Sequence, residues 1–236
     1  MPLRLISFDA AGTLIGVREP VGETYAAHAA RHGIYVAPAA LKLAFRSLWA
    51  QVPPPHWPEG QVSPDDDRGW WKGFAEQVFA QALGQPVEPA RFEPLFDDLY
   101  RHYADASAWV VFEDVVPTLE ALSPDYELCV LSNFDRRLVR ILEGHGLARH
   151  FRRVILSSEV GAAKPHPRMF ETALRHFDVS PEECLHVGDD DRCDVQAARQ
   201  NGWQAFAVNR PDEGLADLVE KVRCQHIPAC NRAKDE

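Results

Sequence analysis

The sequence contains no stretch of about 18 uninterrupted apolar residues, so no membrane-spanning helix is expected. A basic leader with a cleavage site is missing ahead of the first apolar run, and the expectation is a cytoplasmic protein with no membrane partner. Cysteine is sparse: Cys129, Cys184, Cys193, Cys224 and Cys230 are odd in number, scattered and never spaced as CxxC. That pattern argues against both a disulfide framework and a zinc site, and reduced thiols are expected. Positive charge is in deficit, 25 Lys and Arg against 35 Asp and Glu, for a formal net charge of -10. A nucleic-acid backbone demands clustered Lys and Arg, so nucleic acid is not an expected partner. An anionic small molecule would need a locally positive pocket.

What is present is 236 residues of 46% hydrophobic composition, enough for one substantial core or a core with a smaller appended domain. Residues 3–8 (LRLISF) form an apolar run that stops at Asp9, with Gly12 available for a tight turn. Similar runs recur at 127–131, 154–156, 184–187 and 204–208, separated by helix-like sequence at 115–122, 136–144, 167–177 and 194–201. This alternation predicts an α/β fold built on a parallel sheet.

Between about 17 and 108 helical periodicity takes over, and the expectation is an inserted helical domain at 17–108, leaving 1–16 and 109–236 as the α/β core. Within it, 52–64 (VPPPHWPEGQVSP) holds too many prolines for a helix. Asp65, Asp66 and Asp67 precede Trp70, Trp71 and Phe74. Three acids in a row can mark a metal site, but at a helix start they also stabilise the helix dipole, which is the preferred reading. The tail at 224–236 reads as a loosely held terminus, and neither an internal repeat nor a signal for oligomeric state is found.

Four segments carry candidate chemistry. Asp9 closes the first strand, at the sheet edge where parallel sheets bind ligands, although an aspartate there is as often a turn former. Ser132 and Asn133, in LSNFD, put a hydroxyl and an amide at an equivalent strand end, both suited to phosphoryl oxygens or to a simple turn. Lys164 lies in GAAKPHP, an irregular setting in which its ammonium could neutralise a phosphoryl group. VGDDDRCD places Asp189 directly after a strand and Asp194 five residues on, so that several carboxylates can converge on one hard cation, for which magnesium is the natural guest.

Taken in order, FDxxGTL at 8–14, LSN at 131–133, KPHP at 164–167 and GDDDRCD at 188–194 resemble the four motifs of the haloacid dehalogenase superfamily. More narrowly, VGETYA at 21–26, the tryptophan pair and SNFDRRL at 132–138 resemble its subgroup called haloacid dehalogenase-like hydrolase domain-containing protein 3. The resemblance implies a Rossmann-like core with a helical cap, and a hydrolase that acts on a small phosphorylated or otherwise anionic metabolite. It further implies Asp9 as nucleophile forming an aspartyl-phosphate, and Mg2+ held by Asp9, the carbonyl of Ala11 and Asp189. Asp194 would ligate through water or orient the other ligands. Ser132 and Lys164 would hold the transferred group with Asn133 assisting, and Thr13 would fix the loop.

One position departs from the pattern. Phosphatases of this superfamily carry a second aspartate where this chain has Ala11, and a methyl group neither protonates a leaving group nor activates water. Glu19, Glu23, His28 and His32 are candidate substitutes. Two related chemistries tolerate a non-acid there. Haloacid dehalogenases attack carbon without a metal but lack the acidic run present here. Phosphonoacetaldehyde hydrolases use magnesium and a cap lysine, for which only Lys42 and Lys72 are available. A binding module that keeps the pocket without turnover is the alternative from another class.

Overall fold

The computed structural model describes residues 2–58, 61–210 and 214–226; most of the tail expected to be loosely held, 227–236, lies outside them. In chain order the elements are β1 (Leu5–Phe8), β2 (Ile15–Val17), α1 (Val21–Arg31), α2 (Pro38–Trp49), α3 (Arg68–Leu83), α4 (Pro89–His102) and β3 (Trp109–Val111). There follow α5 (Val115–Leu122), β4 (Glu127–Ser132), α6 (Arg137–Gly144), β5 (Arg153–Leu156), α7 (Ser157–Val160) and α8 (Pro167–Phe177). The described chain ends with β6 (Cys184–Gly188), α9 (Ala197–Gln200), β7 (Gln204–Ala207) and α10 (Ala216–His226).

Each apolar run of the sequence becomes a strand of one five-stranded sheet, ordered β5-β4-β1-β6-β7 with every neighbouring pair parallel. This is the expected α/β, Rossmann-like architecture. Side-chain alternation explains why the runs are continuously apolar: Ile6 and Phe8 join a layer with Val115, Leu119 and Ile141, while Leu5 joins a layer with Met169 and Phe170 on the opposite face. In that second layer two polar residues stand side by side, since the register pairs Ser7 with His186. The order of strands reverses about β1, which places the ligand-binding crevice of such sheets at its carboxyl end.

The helices α1 to α4 enclose an apolar cluster of their own, with Tyr25, Leu41, Phe74, Phe79, Phe92 and Leu95 buried. Helices α2, α4 and α8 each begin on a proline, where a missing N–H removes no intrahelical bond. An antiparallel ribbon not anticipated from sequence joins the entry and exit of the helical segment: Ile15 pairs with Val111 and Val17 with Trp109. Trp70 and Trp71 pack against the helical cluster, as expected of core residues. The aspartate triplet divides its work. Asp65 accepts the Gly69 N–H at 2.7 Å in the first turn of α3, whereas Asp66 reaches away to the Arg136 N–H and the Ser158 hydroxyl. Among the described residues no helix is long and apolar enough to cross a membrane.

Candidate active site

Parallel register delivers the acids. Phe8 pairs with Val130 on one side and Val187 on the other, so Asp9, Ser132 and Asp189 all leave the sheet at the same rim. Gly12 takes a positive φ of 96°, and a Cβ there would lie 2.3 Å from an Asp189 oxygen. Glycine therefore lets the first loop press against the Asp189 carboxylate. Thr13 secures the approach by donating its hydroxyl to Asp189 Oδ1 at 3.0 Å.

The acid at 194 arrives by a different route. A helix was expected from 194, but the chain first makes a widened turn over Asp191–Gln196 and only then enters α9. The cause is Asp190, whose side chain accepts the Cys193 N–H at 2.7 Å and so starts the helical winding early. Gly188 leaves room for the result, because a Cβ there would lie 2.3 Å from the Asp194 carboxyl carbon.

Lys164 meets these acids in the interior. It is 1% exposed, and its Nζ donates to Asp9 Oδ1 at 2.8 Å and to Asp194 Oδ1 at 2.5 Å. Asn133, expected to help hold a transferred group, engages the lysine's backbone with both ends of its amide, accepting from the Lys164 N–H at 2.6 Å and donating to its carbonyl at 2.8 Å. No hydrogen bond among the described residues takes up the Ser132 hydroxyl at the end of β4.

His186 was not anticipated, being hidden in an apolar strand. It is buried, with Nε2 3.1 Å from Asp194 Oδ1 and Nδ1 2.7 Å from the Ser7 hydroxyl. Burial and then the Lys164 ammonium push its pKa down, so the ring is neutral. Its Nε2 therefore carries the proton toward the carboxylate, and Nδ1 accepts from Ser7.

The electrostatics follow from crowding. Burial pushes the Asp9 carboxyl up, against the pull of Lys164. Asp194 is desolvated too, but Lys164 and His186 outweigh this and hold it well below the usual carboxylate range. For Lys164 the cost of burial is exceeded by the attraction of Asp194 and Asp9, which hold the ammonium well above its ordinary value. Asp189 is pushed up to about 6 by desolvation and then by the Asp9 charge. One ammonium faces three carboxylates whose nearest oxygens, from Asp9, Asp189 and Asp194, lie within 4.8 Å of one another. That excess of hard oxygen donors is what a small divalent cation would offset.

The candidate replacements for the absent acid differ in setting. Glu19 and Glu23 are exposed. His28 is buried with its ring 5.0 Å from that of His102, and burial and then Arg31 push it down to about 4. His32 pairs with Asp98 at 2.7 Å. Lys72 is ion-paired with Glu93 and Lys42 is exposed. The Ala11 methyl is exposed in the first loop.

Comparison with known proteins identifies a family and a fold. The sequence pattern of the haloacid dehalogenase-like hydrolases matches residues 3–202. Haloacid dehalogenase-like hydrolase domain-containing protein 3 of Homo sapiens is 36% identical over 96% of this chain and 90% of its own length. A phosphoserine phosphatase of Thermus thermophilus is 38% identical over 64% of this chain and 65% of its own. The solved structure of a magnesium-bound putative hydrolase of the same superfamily from Bacillus subtilis superposes with a TM-score of 0.72 at 16% identity, covering 94% of this chain and all of that one.

Proposed function

The chain belongs to the haloacid dehalogenase-like hydrolases, and from that premise we propose that it is a magnesium-dependent phosphatase for small phosphorylated metabolites, working through an aspartyl-phosphate on Asp9. The observation that carries the reading is the meeting of Asp9, Lys164, Asp189 and Asp194 at one rim of the sheet. In the proposed reaction an Asp9 oxygen bonds to phosphorus as the bond to the leaving oxygen breaks, and water then hydrolyses the acyl phosphate. Splitting one displacement into two is what covalent catalysis contributes. Ser132 donates to the phosphoryl oxygens, and Lys164 spreads its charge between Asp9 and the transferred group. Asn133 seats Lys164 from behind.

Magnesium, when bound, would neutralise charge developing on the phosphoryl oxygens, held by Asp9, Asp189 and the carbonyl of Ala11. Asp194 has a supporting part in this scheme. Its Oδ1 is taken by Lys164 and His186 and its Oδ2 by the Asp190 N–H, so it orients neighbours. Residues 17–108 act as the cap that admits substrate, over a core of 1–16 and 109–236. With Ala11 unable to donate a proton, the reading favours aryl and acyl phosphates, whose leaving groups need little protonation.

A second reading, a phosphate-binding module with little or no turnover, draws its support from the same Ala11 and from the engagement of His28 and His32 elsewhere. A panel of phosphoesters and phosphonates, assayed with and without magnesium, separates the two. Magnesium-dependent phosphate release that disappears in Asp9→Asn supports the phosphatase. A silent panel transfers the assignment to the binding module, and turnover of phosphonates alone transfers it to a phosphonatase.

A further inference from the structure

Three features take no part in the chemistry above: Trp71 of the tryptophan pair, the FDRRL segment at 134–138 and the aspartate triplet. The structure brings all three to one interface. Arg137 donates through Nε and Nη2 to Asp135 at 2.8 and 2.6 Å, and Asp135 is fully buried. The guanidinium lies 3.9 Å from the ring centroid of Tyr100 on α4, 5.5 Å from that of Trp71 on α3 and 5.7 Å from that of Phe134. Next to it in the chain, the Arg136 N–H donates to Asp66 Oδ2 at 3.0 Å, and the Tyr100 hydroxyl donates to the Asp66 carbonyl at 3.4 Å. Two successive residues after the Ser132 loop thus grip the helical segment, one by its ring faces and one by its carboxylate.

The other end of that loop grips the site. Asn133 brackets the Lys164 backbone, and the Phe134 carbonyl accepts the Ser157 hydroxyl at 3.3 Å. The short stretch 132–137 is therefore fixed to the phosphate-side machinery at its start and to the helices at its end. A planar cation suits the junction: it chelates a carboxylate in its own plane while stacking on rings above, and lysine does only the first, as a point charge.

We propose that Arg137 is a positioning residue that couples the seating of the helical segment to the placement of Ser132 and Lys164. The substrate consequence rests on the phosphatase reading of the site; the mechanical one does not. While Arg137 holds Tyr100 and Trp71, the loop is taut and the pocket closed. When that contact fails, the helices and the loop loosen together.

The test compares Arg137→Lys, Tyr100→Leu and Tyr100→Phe by amide hydrogen exchange in peptides covering 61–68 and 132–137, and by KM and kcat for an aryl phosphate with magnesium. Losing a desolvated cation–ring contact corresponds to a change on the order of tenfold. Arg137→Lys and Tyr100→Leu should speed exchange in both peptides by about that factor and raise KM more than they lower kcat. Tyr100→Phe keeps the ring and should keep the parent's exchange rate at 132–137 and its KM, losing only the hydroxyl's bond to Asp66. Should Arg137→Lys not fold, Tyr100→Leu decides, because it removes the partner while leaving the Asp135 pair intact. Faster exchange at 61–68 with an unchanged rate at 132–137 overturns the coupling, and so does Tyr100→Phe behaving like Tyr100→Leu. A protein without turnover sinks the phosphatase reading but leaves the exchange measurement to judge Arg137.

Discussion

Lys164 and Asp194 are joined at 2.5 Å in a site where the lysine is 1% exposed and the aspartate 2%. The same ammonium serves Asp9, so two buried carboxylates depend on one cation. Removing it strands both. Lys164→Met is expected to destabilise the magnesium-free protein by about 3–5 kcal/mol, the usual cost of breaking a buried pair from one side. Urea unfolding measures this, and added magnesium should recover part of the loss by supplying positive charge to the same carboxylates. A variant as stable as the parent would show that the acids are solvated rather than buried.

His186 presents a narrower question. Its Nε2 supports Asp194 at 3.1 Å, its Nδ1 meets the Ser7 hydroxyl at 2.7 Å, and its ring centroid lies 5.7 Å from that of Phe170. Groups that orient ligands of a metal typically change affinity or activity by about 10- to 100-fold when removed. His186→Phe should therefore weaken magnesium binding by that range in calorimetry, and His186→Gln, which keeps a donor, should recover much of it. Equal effects from both variants would mean that the ring matters only as packing.

These two residues mark the boundary of what the sequence discloses. Asp9 and Asp189 are visible because each acid interrupts an apolar run at its carboxyl end, a pattern tied directly to where parallel sheets bind ligands. The five central strands are legible for the related reason that both faces of the sheet are buried. His186 escapes notice because inside CLHV one polar residue does not break the apolar pattern, and its partner Ser7 is distant in sequence. A faint signal existed: Ser7 and His186 each precede the end of a site strand at a position facing the same layer. Asn133 follows the end of β4, but adjacency to Ser132 says nothing about which way an amide turns. The ribbon of β2 and β3 is three residues on each side, too short for periodicity to register. Among the candidate acids from the helical segment, helix packing commits His28 and His32 to other partners, which one sequence does not disclose.

Asp67 offers a test through pH. It precedes α3 in the left-handed conformation, φ 62°, is 4% exposed, and leaves Oδ1 without a partner. Burial, opposed by a hydrogen bond with Ser63 and reinforced by the charges of Asp135, Asp66 and Asp65, pushes its pKa from 3.8 up to about 6. The folded state then holds the proton more tightly than the unfolded chain does. Its contribution is full below about 4, declines as pH rises toward about 6, and is gone above that. Asp67→Asn removes the titration, and asparagine tolerates the left-handed backbone. Relative to the parent it should gain about 1–3 kcal/mol at pH 8 and little at pH 4. Parallel stability curves for the two proteins would rule this out.

The final prediction concerns Ala11. Its methyl is exposed in the loop that follows Asp9, so a carboxylate can be installed there without disturbing the core. A positioned general acid is worth about 10²- to 10⁴-fold in rate, and the gain falls on leaving groups that need a proton. Ala11→Asp should therefore accelerate phosphate release from alkyl phosphates by that range while changing aryl phosphates far less. The ratio of the two rates is the informative quantity, because a general improvement in folding or metal loading would lift both together. Asp9→Asn must abolish release in either background, since the acid only assists a displacement that the nucleophile performs. An unchanged ratio would place the acid's site of action somewhere other than position 11.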